Sequence, residues 1–90
     1  MTGTLIARHR VADYATWRAV YDEVAGLREQ HGCAAARVLR LPGDGNDVLV
    51  IHDFPTVEAA EAFAGDPALK DAMGRGGVQA APRIEIFAGA

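Results

Sequence analysis

The chain has 90 residues, of which 50 % are hydrophobic and 23 % charged, the balance of a globular protein rather than a disordered one. The formal net charge is −3. Lys and Arg are scattered singly along the chain, so nucleic acid is not an expected partner. This length fits one domain, residues 1–90, which buries only about 60 to 65 % of its unfolded surface. We therefore expect association with another chain to stabilise it.

Cysteine content and apolar runs indicate the compartment. Cys33 is the only cysteine, so no intrachain disulfide can form and nothing indicates an oxidising compartment. Residues 1–10 lack the charged start and continuous apolar core of a signal peptide. No apolar run approaches the roughly 20 residues of a membrane span. We predict a cytoplasmic protein with no membrane partner.

The first predicted element is a strand over residues 4–11. Its side chains alternate, so Leu5, Ala7 and His9 share one face. His9 stands where an apolar strand would carry another Val, which makes it the first candidate for chemistry if this face lines a cavity. Asp13 is a favoured N-cap, and apolar residues recur after it at three- and four-residue steps, which predicts an amphipathic helix.

The predicted helix ends near His31, with Gly32 as its left-handed terminator. A second strand is predicted over residues 33–41. The turn-forming residues 42–47 predict a hairpin connection. Residues 48–54 are the most strongly strand-like run in the chain, and we assign them to strand three.

A second helical region begins at the N-cap Thr56. Gly65 breaks it, and Asp66 followed by a proline restarts it in the favoured order of cap and first-turn proline. This helix is predicted to end at Gly74. Residues 83–88 form the fourth predicted strand.

The order strand, helix, strand, strand, helix, strand predicts a ferredoxin-like α+β fold. Right-handed crossovers give a four-stranded antiparallel sheet of order 4-1-3-2 with both helices on one face. Exposing the apolar opposite face would forgo several kcal/mol at about 25 cal/mol per Å². We therefore predict a homodimer, sheet against sheet, that encloses a cavity. If His9 does not face that cavity but lies beneath the helices, it is expected to be a core residue.

Four segments resemble a known superfamily. They are A-R-H-R-V, D-Y-A-T-W-R, I-H-D-F-P-T-V-E-A-A-E-A-F and D-P-A-L-K-D-A-M. With them the chain resembles the dimeric α+β barrel proteins, most nearly the antibiotic biosynthesis monooxygenase and polyketide cyclase group. The resemblance implies a face-to-face homodimer with one cavity per subunit under the helices. It also implies an apolar or aromatic small-molecule ligand and chemistry without metal or flavin.

The haem-degrading branch of the superfamily uses an Asn near the end of strand one, a Trp ending strand three and a His late in helix two. The corresponding positions hold His9, Phe54 and Met73 in this chain. Without the Trp and the His ligand, haem degradation is not expected. We take Phe54 and Met73 as predicted ligand contacts.

Two histidines are the predicted catalytic residues. An unperturbed imidazole titrates near pH ~6.5, so His9 can serve as general acid or base. The alternative is a hydrogen-bonded core histidine. His52, on strand three, is the second candidate, and we expect roughly 10 Å of strand between the two. That distance argues against a direct pair or a shared metal, and no metal site is predicted.

Trp17 and Tyr21 belong to an aromatic stripe on the first helix, which is either core or cavity wall. We predict both as ligand contacts. Arg37 is predicted to stabilise an enolate or phenolate oxygen if it turns inward, and is otherwise a solvated or interface charge. The G-R-G-G run around Arg75 has no Walker spacing, which excludes phosphate binding there, and forms either an exposed loop or a lid.

The favoured hypothesis is a cofactor-free cyclisation or dehydration of a polyketide-like or aromatic substrate. His9 would transfer the proton, with His52, Tyr21 and Arg37 orienting the substrate. An alternative is a cofactor-independent monooxygenase that converts an anthrone-like phenol to a quinone. A third hypothesis is a non-catalytic ligand-binding or interaction protein, which would tolerate paired replacement of His9 and His52.

Overall fold

The computed structural model describes all residues, Met1–Ala90. Four strands form one antiparallel sheet in the order β2-β3-β1-β4, which confirms the predicted 4-1-3-2 order and the ferredoxin-like α+β class. No helix is long and apolar enough to cross a membrane. The elements are β1 (Gly3–Arg10), α1 (Tyr14–Glu23), α2 (Ala25–Gln30), β2 (Ala35–Leu41), β3 (Asp44–Phe54), α3 (Val57–Ala64), α4 (Pro67–Arg75) and β4 (Arg83–Ala88).

Three predicted N-caps start the helices. Asp13, Thr56 and Asp66 each accept a hydrogen bond from a backbone N–H of the first turn, which satisfies a donor that would otherwise have no partner. Pro67 follows Asp66 directly, where its missing N–H costs nothing. These local signals fix where α1, α3 and α4 begin.

The first helical region differs from the prediction because it divides into α1 and α2 at Val24. The carbonyl oxygen of Tyr21, three residues before the break, accepts a side-chain hydrogen bond. Arg28 Nη1 donates a hydrogen bond to this carbonyl oxygen at 2.9 Å. Gly32, at φ +80°, ends the region as predicted. Arg28, on α2, therefore lies against Tyr21, on α1, across the break.

The hairpin is tighter than predicted, because β3 begins at Asp44 and not at Val48. Gly43, at φ +87°, allows the sharp reversal. A register shift between Arg40 and Leu41 takes up the irregularity. The hairpin strands are consequently long enough to carry the sheet past the end of β1.

Helix α4 continues through Gly74 and is capped at Gly76, so the prediction that it ends at Gly74 is wrong. Glycine inside a helix costs only about 1 kcal/mol. Arg75 pairs with Asp71 one turn earlier and with Glu23 of α1. Arg75 thus belongs to a helix rather than to an exposed loop or lid.

The register decides which sheet face meets the helices. Leu5 and Ala7 are 2 % and 6 % exposed and lie in the core beneath the helices, opposite His52 and Val50 of β3. His9 shares their face. His9 therefore lies beneath the helices, where it lines a cavity, and not on the face expected to meet a second subunit.

The opposite sheet face has no helix against it. The strand register and the alternation of side chains place a group of apolar side chains on this uncovered face. Leu39 is 37 % and Phe87 54 % exposed, and Leu41 at its edge is 46 % exposed. The ion pair of Arg8 with Asp47 borders the group. The apolar members are Ile6, Leu39, Leu49, Ile51 and Phe87.

Candidate functional site

A cavity lies between the sheet and the helices. Its volume is about 60 Å³, and its mouth opens to solvent. Fifteen residues line it, and twelve of them are hydrophobic. The other three are His9, Arg28 and His52. An apolar enclosure with a few polar groups is the usual composition of a small-molecule site.

His9 extends from β1 into this cavity. Both of its ring nitrogens are buried and have no hydrogen-bond partner. Its ring lies against Trp17 with the centroids 5.6 Å apart. Burial lowers the pKa of His9, outweighing the attraction of Asp47, so the imidazole is neutral at pH 7 and one nitrogen keeps a free lone pair. Because buried polar groups are normally hydrogen-bonded, this histidine calls for a partner that enters the cavity.

His52 extends from β3 and is 3 % exposed. Its Nε2 lies 2.9 Å from Tyr21 Oη, whereas its Nδ1 has no partner. Burial, assisted by the positive charge of Arg28, lowers the pKa of His52 to about 4. The His52 ring makes edge-to-face contacts with the rings of Phe54 and Phe63. His52 is therefore a neutral histidine held by a phenol and an aromatic wall.

Arg28 is the polar cavity residue that was not predicted from the sequence. Its guanidinium carbon lies 3.8 Å from the ring centroid of Tyr21. Burial raises the pKa of Tyr21 despite the neighbouring Arg28, so the phenol stays protonated at neutral pH. The spacing of seven residues from Tyr21 returns to the same helix face after two turns, and this spacing was the available signal.

The two histidines occupy opposite ends of one cavity. His52 is opposite Leu5, and His9 is opposite Val48. Four residues of strand, about 13 Å, therefore separate their backbone positions, more than the 10 Å expected from the sequence. Trp17 and Tyr21 stack with centroids 4.9 Å apart and form the wall between the two ends.

The other predicted contacts divide between the cavity and the rest of the molecule. Trp17, Tyr21 and Met73 line the cavity. Phe54 is 1 % exposed and packs beside Phe63 in the core, outside the lining.

Arg37 does not turn inward. It is exposed and is opposite Ile51 on the uncovered face, so its expected place at the cavity is corrected. The alternation of β2 sends Val38 and Arg40 toward the helices instead, where the Arg40 guanidinium stacks on Tyr14 at 3.8 Å. A residue on this strand cannot change face without a register slip.

No group of three or more His, Cys, Asp or Glu side chains is close enough to hold a metal ion. The third histidine, His31, instead lies 2.8 Å from Asp66 Oδ2 and packs edge-on against Phe63. It does not line the cavity.

Comparisons with known proteins support the fold. No protein-family model matches the sequence, and the search of curated proteins found no match. Solved structures do match. The cofactor-independent oxygenase SnoaB from Streptomyces nogalater superposes with a TM-score of 0.80 at 15 % identity, over 99 % of this chain and 93 % of SnoaB. The chain has the fold of this oxygenase.

Two further structures agree. A candidate antibiotic biosynthesis monooxygenase from Bordetella bronchiseptica gives a TM-score of 0.81 at 15 % identity, over 99 % of this chain and 97 % of that one. Rv0793 from Mycobacterium tuberculosis gives 0.75 at 16 % identity, over 100 % and 96 %. The structural resemblance to antibiotic biosynthesis monooxygenases predicted from the sequence is thus confirmed at the level of the fold.

Proposed function

We propose that this chain binds an aromatic small molecule in the cavity and promotes its oxygenation by O₂, with His9 as the base and with no metal or flavin. The observation that carries the proposal is His9 itself, whose two buried ring nitrogens have no partner in an apolar cavity. The fold shared with SnoaB, a cofactor-independent oxygenase, supports the choice of reaction.

The proposed chemistry starts with proton transfer. Neutral His9 takes a proton from the methylene carbon of an anthrone, leaving a carbanion whose charge is delocalised onto the opposite ring carbonyl as a phenolate. One electron passes to O₂, the two radicals combine, and imidazolium returns the proton to give a hydroperoxide. His9 then removes the second carbon-bound proton as the O–O bond breaks, and the resulting imidazolium protonates the departing hydroxide to give water. The balance is R₂CH₂ + O₂ → R₂C=O + H₂O.

The cavity suits this sequence of steps because its walls are apolar and aromatic. Trp17 and Tyr21 offer a stacking surface along the line between the two histidines. A site that excludes bulk water strengthens the electrostatic interactions inside it. Holding the reacting carbon at His9 replaces a random encounter with a fixed one.

Cyclisation or dehydration, the reaction favoured by the sequence, begins with the same deprotonation but consumes no oxygen. We expect the wild-type protein to accelerate the oxidation of anthrone to anthraquinone above the uncatalysed rate, with one O₂ consumed per anthrone. Prior dialysis against a chelator should leave that rate unchanged. An oxygen electrode combined with product analysis makes the measurement.

Catalysed loss of anthrone under argon would contradict the oxygenase, because O₂ would then not be the oxidant. A rate equal to the uncatalysed one would support the non-catalytic alternative. The His31→Gln variant is the matched control, because it removes a histidine that does not line the cavity.

A homodimer through the uncovered face completes the proposal. A second copy of the chain, packed sheet against sheet, would bury the apolar side chains of the uncovered face. The ion pair of Arg83 with Glu85 lies on the edge strand β4. At about 25 cal/mol per Å² the burial of such a face contributes several kcal/mol. The cavities then lie on the outer sides of the dimer, one per subunit.

We expect sedimentation equilibrium at micromolar concentration to give twice the 9.5 kDa chain mass. Ile6→Asp should convert the dimer to a monomer, because it places a carboxylate on the uncovered face opposite Ile51 and Glu85, with no cation across the strand to pair with it. Ala62→Asp, at an exposed position of α3, should leave the dimer intact. A wild-type monomer, or equal masses for the two variants, would contradict this interface.

A further inference from the structure

We propose that the cavity selects an aromatic ligand that carries a carboxylate, and that Arg28 binds this carboxylate at the end of the cavity opposite His9. This inference rests on the proposed role of the cavity as the ligand site. It adds a ligand class and makes Arg28 the residue that determines specificity.

The first argument is charge. Arg28 is the one cationic side chain among the cavity residues, which include no Asp or Glu. It is half-buried and forms no salt bridge. A partly desolvated charge is usually paired. Most other arginines have a carboxylate partner, namely Arg8, Arg10, Arg18, Arg75 and Arg83.

The second argument is geometry. The Arg28 guanidinium is stacked on Tyr21 at 3.8 Å, and its Nη1 donates to the Tyr21 carbonyl oxygen. These contacts fix the plane of the fork and occupy one of its five N–H donors, leaving the others for a ligand. A planar guanidinium held in this orientation can donate hydrogen bonds to both oxygens of a carboxylate. The cavity lining contains no Asp or Glu that would compete with a bound carboxylate for this guanidinium.

The third argument is length. Arg28 lies beside Tyr21 and His52, whereas His9 is at the other end of the cavity. About 13 Å of strand separates the two ends, and a hydrogen bond at each end takes up roughly 3 Å. An aromatic body of roughly two or three fused rings fills the remainder. Arg28 would therefore position the ligand so that its far end meets His9.

The test uses two probes of equal shape, 2-naphthoate and 2-naphthamide, titrated calorimetrically at pH 7. We expect the wild-type protein to bind the carboxylate at least tenfold more tightly than the amide. Arg28→Gln should reduce this preference to less than threefold. Arg18→Gln is the matched control, since Arg18 also lies near the Tyr21 ring but does not line the cavity, and it should keep the full preference.

Equal affinities of the wild type for both probes, or no binding of either, would overturn the proposal, as would an unchanged preference in Arg28→Gln. A measurement on the wild type alone covers the case in which that variant does not fold. The side-chain Nε–H resonance of Arg28 should shift with naphthoate and stay in place with naphthamide, and equal shifts would also overturn the proposal. These experiments measure binding and not turnover. A negative binding result would overturn the role of Arg28 without affecting the proposed oxidation of anthrone by His9, and a negative oxidation result would leave the role of Arg28 intact.

Discussion

Replacing His9 by Ala is expected to lower the rate of anthrone oxidation at least tenfold, the low side of the 10²- to 10⁴-fold that a general base usually contributes. The reason is that no other cavity group offers an unpartnered imidazole at that end of the cavity. The measurement is a steady-state rate, taken on protein whose mass and circular dichroism equal those of the wild type.

His31→Ala is the matched control for this result, because it removes an imidazole outside the cavity. The pH profile gives a second check. Since burial lowers the pKa of His9, the base stays neutral and the rate should hold as the pH falls below 6.5. A His9→Ala rate equal to that of the wild type would remove His9 from the mechanism.

Acid is expected to destabilise the fold through His52. Its pKa is about 4 in the folded protein and 6.5 when unperturbed. Below pH 6.5 the His52 imidazole is protonated in the unfolded chain, whereas in the folded chain it stays neutral until the pH falls to about 4. Stability is therefore complete above pH 6.5 and is lost as the pH falls toward 4. At 1.36 kcal/mol per unit, His52 alone removes about 3 kcal/mol over this window.

Urea unfolding of wild type and His52→Gln at pH 7 and pH 4 tests this expectation. Glutamine does not titrate and can still accept a hydrogen bond from Tyr21 Oη. The loss of unfolding free energy between the two pH values should be smaller by about 3 kcal/mol in the variant. Equal losses in the two proteins would show that His52 is not held neutral by the fold.

Much of the fold was predictable because its signals are local. The caps Asp13, Thr56 and Asp66 fix helix starts within the first turn, and alternation assigns each strand residue to one of two faces. The break at Val24 was not predicted, because no proline or residue with a positive φ marks it and the only local helix-weakening residue is Gly26, two positions later. Across the break, Arg28 donates a hydrogen bond to the carbonyl oxygen of Tyr21.

The site was less predictable because it depends on which face the helices cover. Alternation on β1 groups His9 with Ala7 but cannot say whether that face meets the helices or a second chain. The same ambiguity applied to Arg37 on β2. Its side chain was expected at the cavity if it turned inward, but it lies on the uncovered face. Tertiary packing alone separates an unpartnered cavity histidine from a hydrogen-bonded core histidine.

The most direct measurement identifies the face of β1 that a bound aromatic ligand touches. Nuclear Overhauser effects between 2-naphthoate ring protons and labelled methyl groups distinguish the two faces residue by residue. We predict effects to the methyls of Leu5, Ala7 and Met73, which line the cavity beneath the helices. Effects to Ile6 and Ile51 on the uncovered face, with none to the cavity methyls, would contradict the account.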